Sequence, residues 1–222
     1  MPQLWHDRRA VHPPLLPLAG QAPANPVSPP NPPLVIDTAT GLLAGARQVL
    51  SPHCDSRPPG ATLELIVIHG ISLPPGEFGG PWIDRLFTAN LPADAPANLR
   101  ELVGLRVSAH VLVRRDGALT QYAPFGMRAW HAGQSVYRGR AACNDFSIGI
   151  ELEGTDSIPY TQAQYERLTA LAAALIATYP TLSSEHVARH SDIAPGRKTD
   201  PGPAFDWTRW RALLAASRTR AP

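Results

Sequence analysis

The sequence has few cysteines and no long apolar segment, and each shortage narrows the class of protein. The two cysteines of the 222-residue chain, Cys54 and Cys143, are far apart and form no C-x-x-C pair. This usage does not predict a disulfide framework and is compatible with a reducing compartment. No apolar run reaches the roughly 18 residues that a membrane-spanning helix requires. We therefore expect neither a disulfide-stabilised domain nor a membrane protein.

A strong charge of one sign is also missing. The formal net charge is +2, and the basic residues are scattered rather than gathered in a run. The chain thus lacks the electrostatic signature of a dedicated nucleic-acid-binding protein. Hydrophobic residues make up 44% and charged residues 17%, which is typical of a globular protein. We expect a monomer whose partner is a small molecule, with neither nucleic acid nor a membrane as partner.

Prolines crowd the first 40 residues. Because proline lacks a backbone N–H and fixes φ, this stretch cannot hold a regular helix or a central strand. We predict a disordered tail over residues 1–40 and one folded domain over residues 41–222. Two arginines precede an apolar segment at residues 15–18, as in a signal peptide, but prolines interrupt that segment. We favour a cytoplasmic protein, and an exported one stays the alternative.

Strand and helix patterns follow one another beyond the tail. A β-branched run predicts a buried strand over residues 63–69, and a Pro- and Gly-rich loop follows it. Thr161 and Gln164 fit a capping box that begins a helix ending before Pro180. The other predicted elements are helices over 81–89 and 206–216, a hairpin of strands 107–115 and 119–125 around Asp116-Gly117, and a strand over 146–152. This mixture predicts an α/β (α+β) domain with a central mixed sheet flanked by helices.

The densest group of reactive side chains lies in residues 190–203, which contain His190, Lys198 and Asp200 among prolines and glycines. We predict a loop here, and such loops often carry function. His69 stands where the predicted strand meets a glycine-rich loop. Two imidazoles and one carboxylate are a ligand set of catalytic zinc, with water in the fourth position. From residue types alone, a core histidine, a turn-forming aspartate and a surface lysine are the commoner outcomes.

Several longer motifs occur in order along the chain with few gaps. They are residues 67–82 (VIHGISLPPGEFGGPW), 106–117 (RVSAHVLVRRDG), 128–133 (RAWHAG), 143–155 (CNDFSIGIELEGT), and 198–203 (KTDPGP) followed by 205–207 (FDW). Together they resemble the AmpD family of 1,6-anhydro-N-acetylmuramyl-L-alanine amidases, with an amidase_2 fold like that of peptidoglycan-recognition proteins. The resemblance covers about residue 41 to about residue 216 and leaves out the Pro-rich tail.

The resemblance implies a role for each of five residues. It assigns ligation of Zn²⁺ to His69, His190 and Asp200, proton transfer to Glu151, and stabilisation of the oxyanion to Lys198. Amide hydrolysis needs an activated water, a base and a positive group near the developing charge, which agrees with these roles. Glu151 and Glu153 are predicted to face opposite sides of their strand, so that one of them reaches the site, and the motif selects Glu151. A surface salt bridge is the alternative for Glu151.

Five further residues are predicted to bind the substrate. Rings can pack on or hydrogen-bond a sugar, guanidinium groups pair with carboxylates, and an amide can bind peptide backbone. These residues are Arg106, Trp130, His131, Arg140 and Asn144, and a structural role is an equal alternative for each. Gly70 and Ala142 stand where the family usually has Asn and often has Arg, which affects the peptide preference rather than the metal site.

Three neighbouring positions bear on the choice of the reacting group. Related phage amidases and peptidoglycan-recognition proteins place Tyr at the position of Ala109, so Glu151 is expected to transfer the proton here. His110 is expected to be structural. A thiol nucleophile at Cys143 is the weaker alternative, since no other nucleophile signature accompanies it.

The expected function is zinc-dependent hydrolysis of the amide bond between (1,6-anhydro-)N-acetylmuramic acid and L-alanine of muropeptides, in peptidoglycan recycling. A non-catalytic peptidoglycan-binding module and an exported amidase acting on intact murein are the alternatives. The intact ligand set argues against the first, because a binding module has no need to keep it.

Overall fold

The fold begins upstream of the predicted domain boundary. A computed structural model of the chain describes residues 34–218. The disordered tail is predicted over residues 1–40, and its first 33 residues lie outside the described part of the chain. Ile36–Asp37 already forms a strand that pairs with Leu42–Leu43, and Ile36 packs into the core. The described fold thus includes residues before position 41.

Regular elements occur throughout the described residues. The strands are β1 (Ile36–Asp37), β2 (Leu42–Leu43), β3 (Arg47–Gln48), β4 (Cys54–Ser56), β5 (Leu65–Ile71), β6 (Val111–Val113), β7 (Leu119–Gln121), β8 (Met127–Ala129), β9 (Val136–Tyr137), β10 (Arg140–Ala141), β11 (Ser147–Glu153) and β12 (Val187–Arg189). The α-helices are α1 (Trp82–Phe87), α2 (Gln162–Thr178), α3 (His190–Ile193) and α4 (Trp207–Arg218). Short 3₁₀ helices span Ala97–Leu102 and Cys143–Asp145.

A six-stranded mixed sheet organises the molecule. Its order is β12-β5-β11-β6-β7-β3, and every neighbouring pair is parallel except the β6–β7 hairpin. The predicted mixed sheet with flanking helices is confirmed. Three antiparallel pairs, β1–β2, β4–β8 and β9–β10, lie outside this sheet. Within residues 34–218, no helix has both the length and the apolar character needed to cross a bilayer.

Helices α2 and α4 cover one face of the sheet. Alternate residues of β5 and β11 point toward them, because successive residues of a strand face opposite sides. This core contains Ile66, Ile68, Ile148, Ile150, Leu152, Leu168, Leu171, Leu175, Trp210 and Leu214. The intervening residues of the same strands face the other side, where the polar groups of the site lie.

Local signals place the two long helices. The Thr161 hydroxyl accepts from the Gln164 N–H at 3.1 Å, and the Gln164 side chain accepts from the Thr161 N–H at 3.1 Å. The predicted capping box is therefore confirmed. Asp206 also caps α4 as predicted, since its carboxylate accepts from the Arg209 N–H at 2.9 Å.

Candidate metal centre

Three neighbouring parallel strands end at one edge of the sheet, and each delivers a polar side chain there. His69 lies near the end of β5, and Glu151 is its register partner on β11. His190 directly follows β12, whose Arg189 pairs with Ile68. Because the carboxyl ends of parallel strands meet at the same edge, these side chains lie side by side.

The segment after β12 folds back and returns Asp200 to this edge. The Ser191 N–H donates to the Asp200 carbonyl at 3.1 Å, and the Lys198 N–H donates to the Ala194 carbonyl at 3.1 Å. The loop predicted over residues 190–203 is wrong for its first four residues, which form α3. The Asp192 carboxylate caps this short helix by accepting from the preceding Arg189 N–H at 3.0 Å.

His69, His190 and Asp200 bring three donor atoms within 4.8 Å of one another. The two Nδ1 atoms of the histidines are 2.9 Å apart. Asp200 Oδ2 lies 3.4 Å from the His69 Nδ1 and 3.1 Å from the His190 Nδ1. Donor atoms held about 2.0–2.1 Å from one tetrahedral zinc ion are roughly 3.3 Å apart, so this spacing fits the metal.

The ring orientation of His190 supports a cation at the centre of this group. Its Nε2 lies 3.3 Å from the Ala132 carbonyl oxygen, which can only accept a hydrogen bond. The proton of the neutral ring is therefore on Nε2, and the Nδ1 lone pair faces His69 and Asp200. Lone pairs and a carboxylate that converge in this way suit a bound cation.

The surroundings of His69 and Asp200 favour the ionisation states in which these two side chains bind a metal. Burial disfavours the charged form of His69 and lowers its pKa to about 4. Burial alone would raise the pKa of Asp200, but its short contacts with the rings of His190 and His69 outweigh burial and lower that pKa. A neutral imidazole and a carboxylate are the metal-binding forms of these side chains.

Glu151 lies buried beside the three donor atoms. Its Oε2 has no hydrogen-bond partner among the described residues. Burial, and then the negative charge of Asp200, raise the pKa of Glu151 well above its ordinary value, while the Lys198 ammonium opposes the shift. A carboxyl group without a partner in a polar cavity is poised to exchange a proton.

The prediction that Glu151 and Glu153 face opposite sides of β11 is wrong, because residues two apart on a strand share a face. Hydrogen bonds direct Glu153 elsewhere. Its carboxylate accepts from the Gly79 N–H at 2.7 Å, from the Arg114 guanidinium at 2.9 Å and from the Arg115 N–H at 3.2 Å. Glu153 therefore joins two loops, and Glu151 faces the metal-binding group.

A cavity of about 210 Å³ opens over the donor atoms. Lys198 is an exposed residue on its lining, and the other polar residues of the lining are His69, Ser108, His131, Glu151, His190 and Asp200. Its apolar wall, which sequence analysis missed, consists of Leu73, Leu86, Phe87, Leu102, Leu105 and Val107. The only sequence signal for this wall is the apolar content of residues 82–87 and 99–107, and tertiary packing decides where those segments lie.

Arg106 and Trp130 contact each other, and Arg106 lies in a cleft that adjoins the cavity. The Arg106 guanidinium sits 4.7 Å above the Trp130 ring, and the Trp130 indole N–H donates to Asp55 at 3.2 Å. Arg106 lines a cleft of about 230 Å³ that shares Leu86, Leu102 and Leu105 with the cavity. The structure thus pairs these two predicted residues at a cleft that adjoins the cavity, and neither of them is on the lining of the cavity itself.

The other three predicted substrate-binding residues form hydrogen bonds with other parts of the protein. Arg140 donates to Glu64 at 3.1 Å and is not on the cavity lining. The Asn144 side-chain oxygen accepts from the N–H groups of His131 and Ala132 at 3.1 and 2.8 Å. His131 is buried, and its ring nitrogens lie 2.9 Å from His69 Nε2 and 3.1 Å from Ser147 Oγ.

His110 and Cys143 occupy structural positions. The His110 Nδ1 accepts from the Gly149 N–H at 3.0 Å, and its Nε2 donates to the Met127 carbonyl at 3.0 Å. Cys143 is buried, and burial raises the pKa of its thiol. A buried, protonated thiol is a poor nucleophile, so the geometry does not favour the thiol alternative.

Comparison with known proteins agrees with this geometry. A family profile described as N-acetylmuramoyl-L-alanine amidase matches residues 59–203. The 1,6-anhydro-N-acetylmuramyl-L-alanine amidase AmpD of Escherichia coli (strain K12) is 59% identical over 179 residues, which are 81% of this chain and 97% of that protein. A crystal structure of a selenomethionine AmpD derivative is 57% identical with a TM-score of 0.78, covering 81% of this chain and 99% of that one.

A more distant structure contains a ligand. It is a complex of the E. coli N-acetylmuramyl-L-alanine amidase AmiD with the substrate anhydro-N-acetylmuramic acid-L-Ala-D-γ-Glu-L-Lys. It is 29% identical with a TM-score of 0.51, covering 81% of this chain and 65% of that one.

Proposed function

This chain belongs to the N-acetylmuramoyl-L-alanine amidase family, and from that premise we propose that it hydrolyses the amide bond between 1,6-anhydro-N-acetylmuramic acid and L-alanine in muropeptides during peptidoglycan recycling. The AmpD relatives, whose full lengths this chain nearly spans, carry this activity in their names. The substrate bound in the AmiD complex has the same anhydro sugar and the same first amino acid.

The observation that carries the proposal is the convergence of His69, His190 and Asp200 in one cavity with Glu151. We propose that these three residues hold one zinc ion. When bound, zinc lowers the pKa of a water molecule to about 7 and polarises a carbonyl oxygen. A binding module without catalysis needs neither this donor set nor a buried carboxyl group beside it.

We assign proton transfer to Glu151. It takes a proton from the attacking water and later gives a proton to the departing amine of L-alanine, so that it ends each cycle unchanged. Burial supports this role because it raises the pKa of the carboxyl group well above its ordinary value, which makes the group a stronger base for the proton of the water. The partnerless Oε2 is free to hydrogen-bond the water.

We assign stabilisation of the oxyanion to Lys198. The chain has 20 Lys and Arg residues, and Lys198 is the only lysine among them. The remaining Lys and Arg positions are all arginine, so the single lysine of the sequence lies at the cavity. Its compact ammonium group suits contact with a single oxygen better than a planar guanidinium does. Its position on the cavity lining supports this assignment, because a positive charge near the reacting carbonyl would stabilise the developing negative charge.

We assign substrate contacts to Arg106 and Trp130. Among the described residues Arg106 forms no ion pair, so its guanidinium is available to a carboxylate of the stem peptide. The Trp130 ring offers a flat apolar surface beside the Arg106 guanidinium. Arg140 is left out because it lies off the cavity lining and pairs with Glu64, and His131 and Asn144 are left out because their polar atoms form hydrogen bonds within the protein.

We propose that a single chain acts in the cytoplasm. His69, His190, Asp200 and Glu151 converge within a single chain, which supports a site that needs no second subunit. Cys54 and Cys143 are free thiols, as suits a reducing compartment. Mass spectrometry of the native N-terminus tests the location, and a form cleaved after the apolar segment at residues 15–18 would contradict it.

Comparison of three substrates tests the proposed reaction. The zinc-loaded protein is incubated with anhydro-N-acetylmuramyl-tripeptide, with the same peptide on a reducing N-acetylmuramic acid, and with intact murein. Chromatography with mass detection identifies free tripeptide and free sugar. We expect rapid release from the anhydro substrate, and release from intact murein alone would overturn the proposal.

A further inference from the structure

We propose that His131 is a positioning residue that fixes the tautomer and orientation of the zinc ligand His69 through a directed chain of hydrogen bonds. This inference rests on the proposed zinc site and replaces the sugar-binding role predicted for His131. The chain runs from His69 through His131 and Ser147 to the carbonyl of Cys143.

The far end of the chain determines the direction of every hydrogen bond in it. The Cys143 carbonyl can only accept, so the Ser147 hydroxyl 2.5 Å away donates its proton to it. The Ser147 oxygen then accepts from the His131 Nε2–H at 3.1 Å. A neutral imidazole with its proton on Nε2 has an unprotonated Nδ1.

That unprotonated nitrogen sets the state of the metal ligand. The His131 Nδ1 lies 2.9 Å from the His69 Nε2 and accepts its proton. The His69 Nδ1 is therefore left with a free lone pair, and this is the atom that faces His190 and Asp200. The Cys143 carbonyl, three hydrogen bonds away, thus determines that His69 adopts the tautomer that can bind the metal through Nδ1.

Close packing keeps His131 in place. A Cβ atom at Gly149 would lie 2.4 Å from the His131 Cγ, so glycine in β11 is what allows the ring to rest on the strand. The rings of His131 and His69 meet edge to face at 87° with centroids 5.0 Å apart. The Asn144 side chain holds the backbone N–H groups of His131 and Ala132.

The same short segment orients the second histidine ligand. The carbonyl of Ala132 accepts from the His190 Nε2, as described above, and also from the Arg197 guanidinium at 2.6 Å. His69 is thus oriented by the side chain of His131, and His190 is oriented by the backbone carbonyl of the next residue, Ala132. Partners of this kind commonly change metal affinity by about 10- to 100-fold when they are lost.

A matched pair of variants isolates the hydrogen bond from the packing. His131→Asn keeps an acceptor near the position of Nδ1, whereas His131→Leu has nearly the same volume and no acceptor. The zinc dissociation constant of each is measured by competition with a chromophoric chelator, and the absorption spectrum of the cobalt-substituted protein reports ligand geometry. We expect about 10- to 100-fold weaker zinc binding for His131→Leu than for wild type, with an altered cobalt spectrum, and a smaller loss for His131→Asn. Equal affinities in the two variants, whether like wild type or equally reduced, would overturn the inference.

His53→Leu is the control variant. This substitution removes another buried histidine, which stacks on Trp130 but takes no part in the chain of hydrogen bonds that ends at His69. The zinc affinity of this variant should stay within about twofold of wild type. A loss as large as that of His131→Leu would show a general effect of losing a buried ring and would also overturn the inference.

Direct observation of the tautomer needs no variant. Two-bond ¹⁵N–¹H correlation spectra of the histidine-labelled, zinc-loaded wild type distinguish the two tautomers. We expect His131 to carry its proton on Nε2, and a proton on Nδ1 would overturn the chain. If wild type binds no zinc, the proposed function itself fails. If wild type and all His131 variants bind zinc equally well, only the inference about His131 fails.

Discussion

Glu151 and Glu153 lie two residues apart on one face of β11, yet their carboxylates have opposite surroundings. Glu153 accepts three hydrogen bonds and pairs with Arg114, while the Oε2 of Glu151 has no partner. Both side chains are buried. Burial of a carboxylate is unfavourable unless the carboxylate is hydrogen-bonded. The surroundings of Glu153 therefore stabilise the fold, whereas the surroundings of Glu151 lower its stability and leave a reactive carboxyl group at the site.

Glu151→Gln should abolish most activity without removing the metal. Loss of a general base or acid typically lowers the rate by about 10² to 10⁴. We expect kcat/KM for the anhydro tripeptide to fall in that range while zinc content stays at the wild-type level. The free energy of unfolding should stay equal or rise, because a neutral amide replaces a partnerless carboxyl group. Activity within tenfold of wild type would remove Glu151 from the mechanism.

Glu153→Ala should have the reverse profile. It leaves the largely buried Arg114 guanidinium with a hydrogen bond to the Gly80 carbonyl at 3.0 Å and with one longer ion pair, to Asp84 at 3.4 Å. Removing one partner of a buried ion pair typically costs about 3 kcal/mol or more. Urea unfolding of the metal-free protein measures this loss, and the folded variant at low temperature should keep near-normal kcat. An unchanged unfolding free energy would contradict the structural role.

Lys198→Met should lower kcat by about 10² to 10³, the typical effect of losing one oxyanion donor, with a smaller change in KM. Because Lys198 is the only lysine, acylation with an amine-specific reagent reports on this residue and the N-terminal amine alone. We expect acylation to inactivate wild type but to leave the residual activity of Lys198→Arg unchanged. Full activity of acylated wild type, with modification at residue 198 proved by mass spectrometry, would exclude the assigned role.

His110 should make the metal-free protein less stable in acid. Burial, with a smaller effect from the Arg57 charge, lowers the pKa of His110 from 6.5 to about 3. Between these values the unfolded chain binds a proton that the native state excludes, so stability falls as pH decreases, by about 1.4 kcal/mol per pH unit for one such group. Urea unfolding from pH 4.5 to 6 should show a shallower pH slope in His110→Gln than in wild type. Identical slopes would mean that His110 takes up its proton in the native state.

Much of the fold follows from local signals in the sequence. The capping box of Thr161 and Gln164, the Asp116-Gly117 hairpin and the apolar run before His69 each predict an element that the structure contains. Strand β12 and helix α3 escaped prediction because they are only a few residues long and depend on pairing with β5 and on the Asp192 cap.

The sequence predicts the metal-binding group but does not predict the role of His131. Family motifs mark His69, His190 and Asp200 directly. The role of His131 depends instead on partners at positions 69 and 147, which only the sheet register and the close approach at Gly149 bring together. For the same reason, the inward orientation of Asn144 has no signature in the local sequence.

Zinc content measured together with hydrolysis, in wild type and His190→Ala, tests the central claim most directly. We expect about one zinc per wild-type chain, loss of tripeptide release on chelation, recovery on addition of zinc, and absence of both metal and activity in the variant. Wild-type protein that stays fully active after complete removal of zinc, or a His190→Ala variant as active as wild type, would contradict the account.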